Sequence, residues 1–166
     1  LKWAGKLAGY GEALGFSLMD NATSLAEWQQ ALSYMCVIDQ NYVAADKLGN
    51  IAYCTSGKIP LRPPPPPAGT GTMGVVPSNG SAGQNEWMGW LPHSTSPQII
   101  PPFPVPVSLP YIQNPPQGLI ATANNQPIGP GYLGYPWPIW IGPAFGFDPG
   151  YRGQRITELI KALAPI

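Results

Sequence analysis

The chain has 166 residues, no net charge and only 10% charged residues. Nothing in it forms a basic patch that would neutralise phosphates, so nucleic acid is not an expected partner. Its 20 glycines and 23 prolines approach low-complexity content, but the 11% aromatic share points to a folded chain, since disordered sequences are poor in aromatics.

Residues 2–19 read as a strand or partly extended segment around Lys2-Trp3, followed by a short apolar stretch. The first clear helix starts at Thr23-Ser24. Ser24-Leu25-Ala26-Glu27 is a capping box, in which hydroxyl and glutamate satisfy the helix's free N–H groups. Leu25, Trp28, Leu32 and Met35 recur at helical spacing and are expected to form a core face. A hairpin follows: Asn41 to Asp46 is β-prone, Lys47-Leu48-Gly49-Asn50 supplies turn residues, and Ile51 to Thr55 returns, with Gly57 ending it. Cys36 and Cys54 lie 18 apart with no CxxC and no nearby histidine, which leaves no recognisable zinc site. They are read either as a disulfide of an exported protein or as two buried thiols.

From Pro60 to Gln117 there are 16 prolines, five of them consecutive at Pro63–Pro67. Proline removes a donor and fixes φ, so continuous helix or sheet is excluded over most of this tract. We expect an ordered loop wrapped on the body and anchored by Trp87, Met88, Trp90, Leu91, Phe103 and Tyr111. Between Pro63 and Phe147 the only charged residue is Glu86. Such a surface is built from amides, hydroxyls, Pro and Gly. It also suits acid, where protonated carboxylates lose their salt bridges. Gly69 to Gly74 lacks the ending of a phosphate loop and reads as a turn, and His93 reads as a surface histidine.

The run Asn114 to Pro127 ends the proline tract with a short apolar stretch that delivers two adjacent amides, Asn124 and Asn125. An asparagine offers two N–H donors without a net charge, so it can stabilise a developing oxyanion. Asn-Asn shortly before Pro is also a turn signal. Prolines 136, 138 and 143 break the aromatic stretch 134–147, and no apolar run reaches the roughly 18 residues of a membrane span. A last helix is expected from about Gly150 to Ala164, with Ile156, Leu159, Ile160 and Leu163 on its apolar face.

Four segments together resemble the C-terminal part of the catalytic chain in the penicillin acylase (penicillin amidase) family of N-terminal-nucleophile hydrolases. The first runs from Trp28 to Pro60 and on to Arg62, with Asn41 to Asp46, Gly49-Asn50-Ile51-Ala52-Tyr53 and Gly57-Lys58-Ile59-Pro60-Leu61-Arg62. The second is Gly69-Thr70-Gly71 with Glu86 to Pro92, the third Asn114-Pro115 through Asn124-Asn125, and the fourth Gly150 to Leu159. Their order and spacing carry the resemblance more than any one of them does.

The resemblance implies an α+β fold, part of a layered αββα body with antiparallel strands, flanking helices and a long Pro-rich irregular segment. The chain then divides into 1–62 (helix and β-hairpin), 63–117 (Pro-rich wrapping loop) and 118–166 (strand, loop and C-terminal helix). The family hydrolyses amides through an acyl-enzyme. Its nucleophile is an N-terminal Ser, Thr or Cys whose own α-amine acts as base. By the same resemblance Asn124 is the oxyanion donor and Arg155 helps to order the active site. Leu1 has neither hydroxyl nor thiol, so the nucleophile lies outside this chain, which is expected to be inactive alone. Leu1 is read as a processing boundary. Some members bind calcium through an acidic residue beyond the Asn pair; Pro127 to Phe147 carries no carboxylate, and no metal or other cofactor is expected. Expected partners are the remainder of the parent acylase, a small-molecule amide substrate and, for the chain alone, further copies of itself. β-Lactam side chains, acyl-homoserine lactones and other amides are all compatible with the family. An extracytoplasmic or secreted location is expected. The alternative is a non-catalytic proline-rich binding or structural module of an exported protein.

Overall fold

The computed structural model describes residues 4–7, 11–37, 40–62, 77–93, 98–99, 106–107, 109–125 and 148–163. Lys2-Trp3, the five-proline run, the glycine-rich turn at 69–74 and Phe103 lie outside them. In chain order the elements are helices α1 (Ala4–Leu7), α2 (Glu12–Asp20) and α3 (Leu25–Leu32), then strands β1 (Asn41–Ala45), β2 (Ile51–Thr55) and β3 (Pro60–Leu61). A 3-10 turn (Gly80–Ala82) precedes the short strands β4 (Gly89–Trp90), β5 (Gln98–Ile99), β6 (Pro106–Val107) and β7 (Tyr111–Gln113), and helix α4 (Tyr151–Leu163) closes the chain.

Ala4–Leu7 and Glu12–Asp20 are helical where only a short apolar stretch was expected, while the extended reading at Lys2-Trp3 falls outside the described residues. The apolar residues of α2 do not form a stripe, because α2 meets α3 through glycine instead. A Cβ on Gly15 would stand 2.5 Å from Met35 Sδ and 3.2 Å from the Ala31 carbonyl oxygen, and one on Gly11 2.0 Å from the Tyr34 carbonyl oxygen. Only glycine permits that approach. Glu12 secures the same contact by accepting from the Cys36 and Val37 backbone N–H groups.

The capping box forms with one difference. Ser24 Oγ accepts from Glu27 N at 3.2 Å, while Glu27 Oε2 reaches Thr23, accepting from its N at 2.7 Å and its Oγ1 at 2.8 Å. The helix start fixed there turns Leu25, Trp28 and Leu32 inward, and Met35 follows beyond the last turn. These four pack with Ala52 and Cys54 of β2, and Met19, Ala22, Tyr42, Ala44 and Tyr111 close the edges of this core. Both cysteines are free and buried, and burial pushes the Cys54 thiol up to about 12.

The hairpin pairs as expected, Asn41 with Thr55 and Ala45 with Ile51. β7 adds antiparallel to the other edge of β2, Cys54 opposite Tyr111, giving a sheet of order β1-β2-β7. The proline tract contributes only two-residue pairings besides β7, β3 with β4 and β5 with β6, among the described residues. Of its anchors, Leu91 is buried and Tyr111 reaches the core. Trp87 and Trp90 meet edge to face with ring centroids 5.4 Å apart, and Met88 is exposed.

One polar chain ties the hairpin turn to the end of β7. Asp46 Oδ1 accepts from Leu48 N (2.8 Å) and Asn50 N (2.9 Å), and Asp46 Oδ2 accepts from Asn50 Nδ2 (2.8 Å). Asn114 Nδ2 donates to Asn50 Oδ1 (2.8 Å), and Asn114 Oδ1 accepts from Ile51 N (2.9 Å). The bonds from the Asn50 side chain and backbone, then Leu48, hold the Asp46 carboxyl below its ordinary range. Its contribution is therefore complete above the ordinary carboxylate pKa of about 4 and is lost as pH falls through the lowered folded value. Urea midpoints of wild type and Asp46→Ala should differ at neutral pH and converge in acid; a gap that stays constant down to about pH 2 contradicts this role.

The final helix forms where expected, but its apolar face is only partly covered, with Ile160 half-buried. Ile156, Leu159 and Leu163 are all exposed, Leu163 at 69%.

Candidate active site

Asn114, in the left-handed region at φ 48, ends the sheet, and the turn Pro115–Gly118 sends the chain away from β7. The stretch 119–125 then runs from the sheet to the start of α4. Asn124 adopts φ 58, a conformation that asparagine tolerates better than other L-residues. Its carbonyl accepts from Asp148 N at 2.8 Å, and Asn125 forms a parallel bridge with Asp148. Asn125 Oδ1 accepts from Ala123 N at 3.0 Å, which locks the turn. The turn is thus formed by backbone groups and Asn125 Oδ1, and none of these bonds uses the Asn124 side-chain amide.

α4 meets this turn at its first residues. Asp148 Oδ1 accepts from Gly150 N at 2.9 Å, setting the direction of the helix. Arg152 Nη2 donates to Asn124 Oδ1 at 2.7 Å and to the Ala123 carbonyl at 2.9 Å, and Arg152 Nε pairs with Asp148 Oδ2 at 3.4 Å. A Cβ on Gly153 would lie 3.1 Å from Asn125 Oδ1, so a small residue there lets the helix approach. With Oδ1 engaged by a cation, the opposite Nδ2 end is the donor end of the Asn124 amide.

Among the described residues no hydrogen bond joins Asn124 and Arg155. The Arg155 guanidinium pairs with Glu158 Oε2 at 3.4 Å on an exposed face of α4. Arg152, which sequence reasoning passed over, holds Asn124 instead. The signal for it was present: a cation in the first turn of a helix, where the macrodipole disfavours one, four residues after an aspartate.

Two clefts are lined by Asn125, and Asn124 lines neither. One of about 340 Å³ is lined by Tyr53, Ile112, Leu119, Ala121, Asn125 and Thr157, the other, of about 410 Å³, by Ala121, Asn125, Gly150, Gly153 and Thr157 among others. The Thr157 hydroxyl donates to the Gly153 carbonyl at 2.8 Å, and the Cys54 thiol is buried with its pKa raised, so neither is an activated nucleophile. Among the described residues no group of three or more His, Cys, Asp or Glu is placed to hold a metal ion. Nor is any described helix long and apolar enough to cross a membrane.

His93 is half-buried rather than a surface residue. Its Nε2 is enclosed without a hydrogen-bond partner, and burial, then the Lys58 charge, lowers its pKa. It follows β4, whose pairing with β3 carries it inward.

The sequence model of the penicillin amidase family matches residues 1–165. The chain is 31% identical over 147 residues to the penicillin acylase 2 proenzyme of Pseudomonas sp. (strain SE83), covering 87% of this chain and 15% of that protein. A thermostable penicillin G acylase from Alcaligenes faecalis is similar in structure, with a TM-score of 0.54 and 28% identity over 72% of this chain and 18% of that one. The chain thus spans less than a fifth of the length of either relative.

Proposed function

This chain belongs to the penicillin amidase family, and we propose that it is one part of an amidohydrolase that cleaves a linear amide through an acyl-enzyme. The observation that carries the reading is the Asn124 amide, fixed by Arg152 on Oδ1 with Nδ2 as its donor end, at the junction of the sheet-derived stretch and α4. The nucleophile, contributed from outside residues 1–166, attacks the amide carbonyl carbon. As the carbon becomes tetrahedral, negative charge collects on oxygen. Asn124 Nδ2 donates to that oxygen, and because its orientation is preset, little reorganisation is needed as the charge develops. Collapse of the intermediate expels the amine and leaves an ester or thioester, which water then hydrolyses to the carboxylate. Arg155, exposed on α4 beside Glu158, is a second candidate for ordering that site once the rest of the enzyme is in place.

The partly uncovered apolar face of α4 supports a covering partner, the remainder of the parent chain. The short span relative to the family's long chains supports the same reading. Rapid quench of the full-length protein with a panel of acyl amides, followed by proteolysis and mass spectrometry, tests it. The acyl group should be found on a residue outside this segment. Acyl transfer onto a side chain within residues 1–166, or the absence of any acylated peptide with a substrate that is turned over, contradicts it.

A further inference from the structure

We propose that Arg152 is a positioning residue that sets the direction and donor strength of the Asn124 amide. The inference rests on the reading of Asn124 as the oxyanion donor. An unheld asparagine amide can turn about its last torsion and present either its acceptor or its donor end. The acceptor end would repel an oxyanion. Arg152 Nη2 removes that freedom by binding Asn124 Oδ1 at 2.7 Å, and it reaches the preceding carbonyl, that of Ala123, at 2.9 Å. One guanidinium nitrogen therefore ties both the side chain and the backbone of the turn. A cation on Oδ1 also polarises the amide, which strengthens Nδ2–H as a donor.

Helix stability does not explain Arg152. It is the second residue of α4, where the macrodipole disfavours a cation. Its ion pair with Asp148 is exposed, with the Arg152 side chain 60% accessible, and such pairs contribute little. The sequence separation of 28 between Asn124 and Arg152 also means that this contact exists only when α4 docks on the turn. A donor oriented in this way is in place only in the assembled fold.

The test uses the full-length acylase, with kcat and KM for wild type, Arg152→Ala, Asn124→Ala and the double variant. Arg152→Ala should lower kcat by about 10- to 100-fold, less than the loss of the donor itself, with KM changed much less. In the Asn124→Ala background the same substitution should have almost no further effect, because the group it positions is gone. Added guanidinium should restore part of the lost rate in Arg152→Ala but none in the double variant. Multiplicative effects, or wild-type kcat in Arg152→Ala beside a slow Asn124→Ala, overturn the positioning role and leave the donor standing. Wild-type kcat in Asn124→Ala overturns the donor reading and the positioning role with it. Should Arg152→Ala fail to fold, Arg152→Lys carries the test. Lysine keeps the charge but lacks the planar fork, so kcat should still fall severalfold; an unchanged kcat overturns the proposal.

Discussion

Leu32→Ala should remove about 2–5 kcal/mol of stability. Leu32 has no exposed surface and lies at the centre of the cluster formed by Leu25, Trp28, Met35, Ala52 and Cys54. Three features prevent the neighbours from closing the void. The start of α3 is fixed by Ser24 and Glu27, α2 is held against α3 by glycine contacts that leave no slack, and β2 is paired on both edges. A site that cannot collapse retains its cavity, and the cost then adds the cavity to the lost transfer energy. Leu48→Ala in the hairpin turn serves as the control, since Leu48 is 80% accessible and its truncation should stay within about 0.5 kcal/mol. Urea unfolding followed by circular dichroism measures both. A Leu32→Ala midpoint close to wild type at equal m-value would show that this cluster is not the core.

Local chemistry was legible in the sequence wherever the determinant was itself local. Ser24 with Glu27 announced α3, and Asp46 through Asn50 announced the hairpin, because the groups that satisfy the backbone lie within four residues of it. α2 escaped because its packing surface is Gly15, which contributes no hydrophobic signal. The helical spacing in α4 was read correctly, yet spacing reports an apolar face and not what covers it. The family resemblance directed attention to Arg155, while the bond to Asn124 comes from Arg152. That contact joins residues far apart in sequence, and depends on how α4 is turned by Asp148 and how closely Gly153 lets it approach. His93 went inward for a similar reason, the β3–β4 pairing being only two residues long and invisible beneath the prolines.

Asn124→Ala in the full-length acylase should lower kcat by about 100- to 1000-fold, equivalent to about 2.7–4 kcal/mol of barrier, the usual cost of one oxyanion donor. The effect on folding should be much smaller, because the Asn124 side chain is exposed and its partner Arg152 remains solvated. One structural contribution must be separated from the chemical one. At φ 58 an alanine carries a backbone penalty of roughly 1–2 kcal/mol that asparagine largely avoids. Asn124→Gly removes the side chain without that penalty and so isolates the donor. Asn124→Asp keeps an oxygen for Arg152 but replaces the Nδ2 donor with a second acceptor, which repels the oxyanion. The decisive quantity is the rate constant for acylation in a single turnover of Asn124→Gly, measured beside its thermal midpoint. The donor role predicts a fall of about 100-fold or more with the midpoint nearly unchanged. Acylation at the wild-type rate by a folded Asn124→Gly enzyme would contradict it.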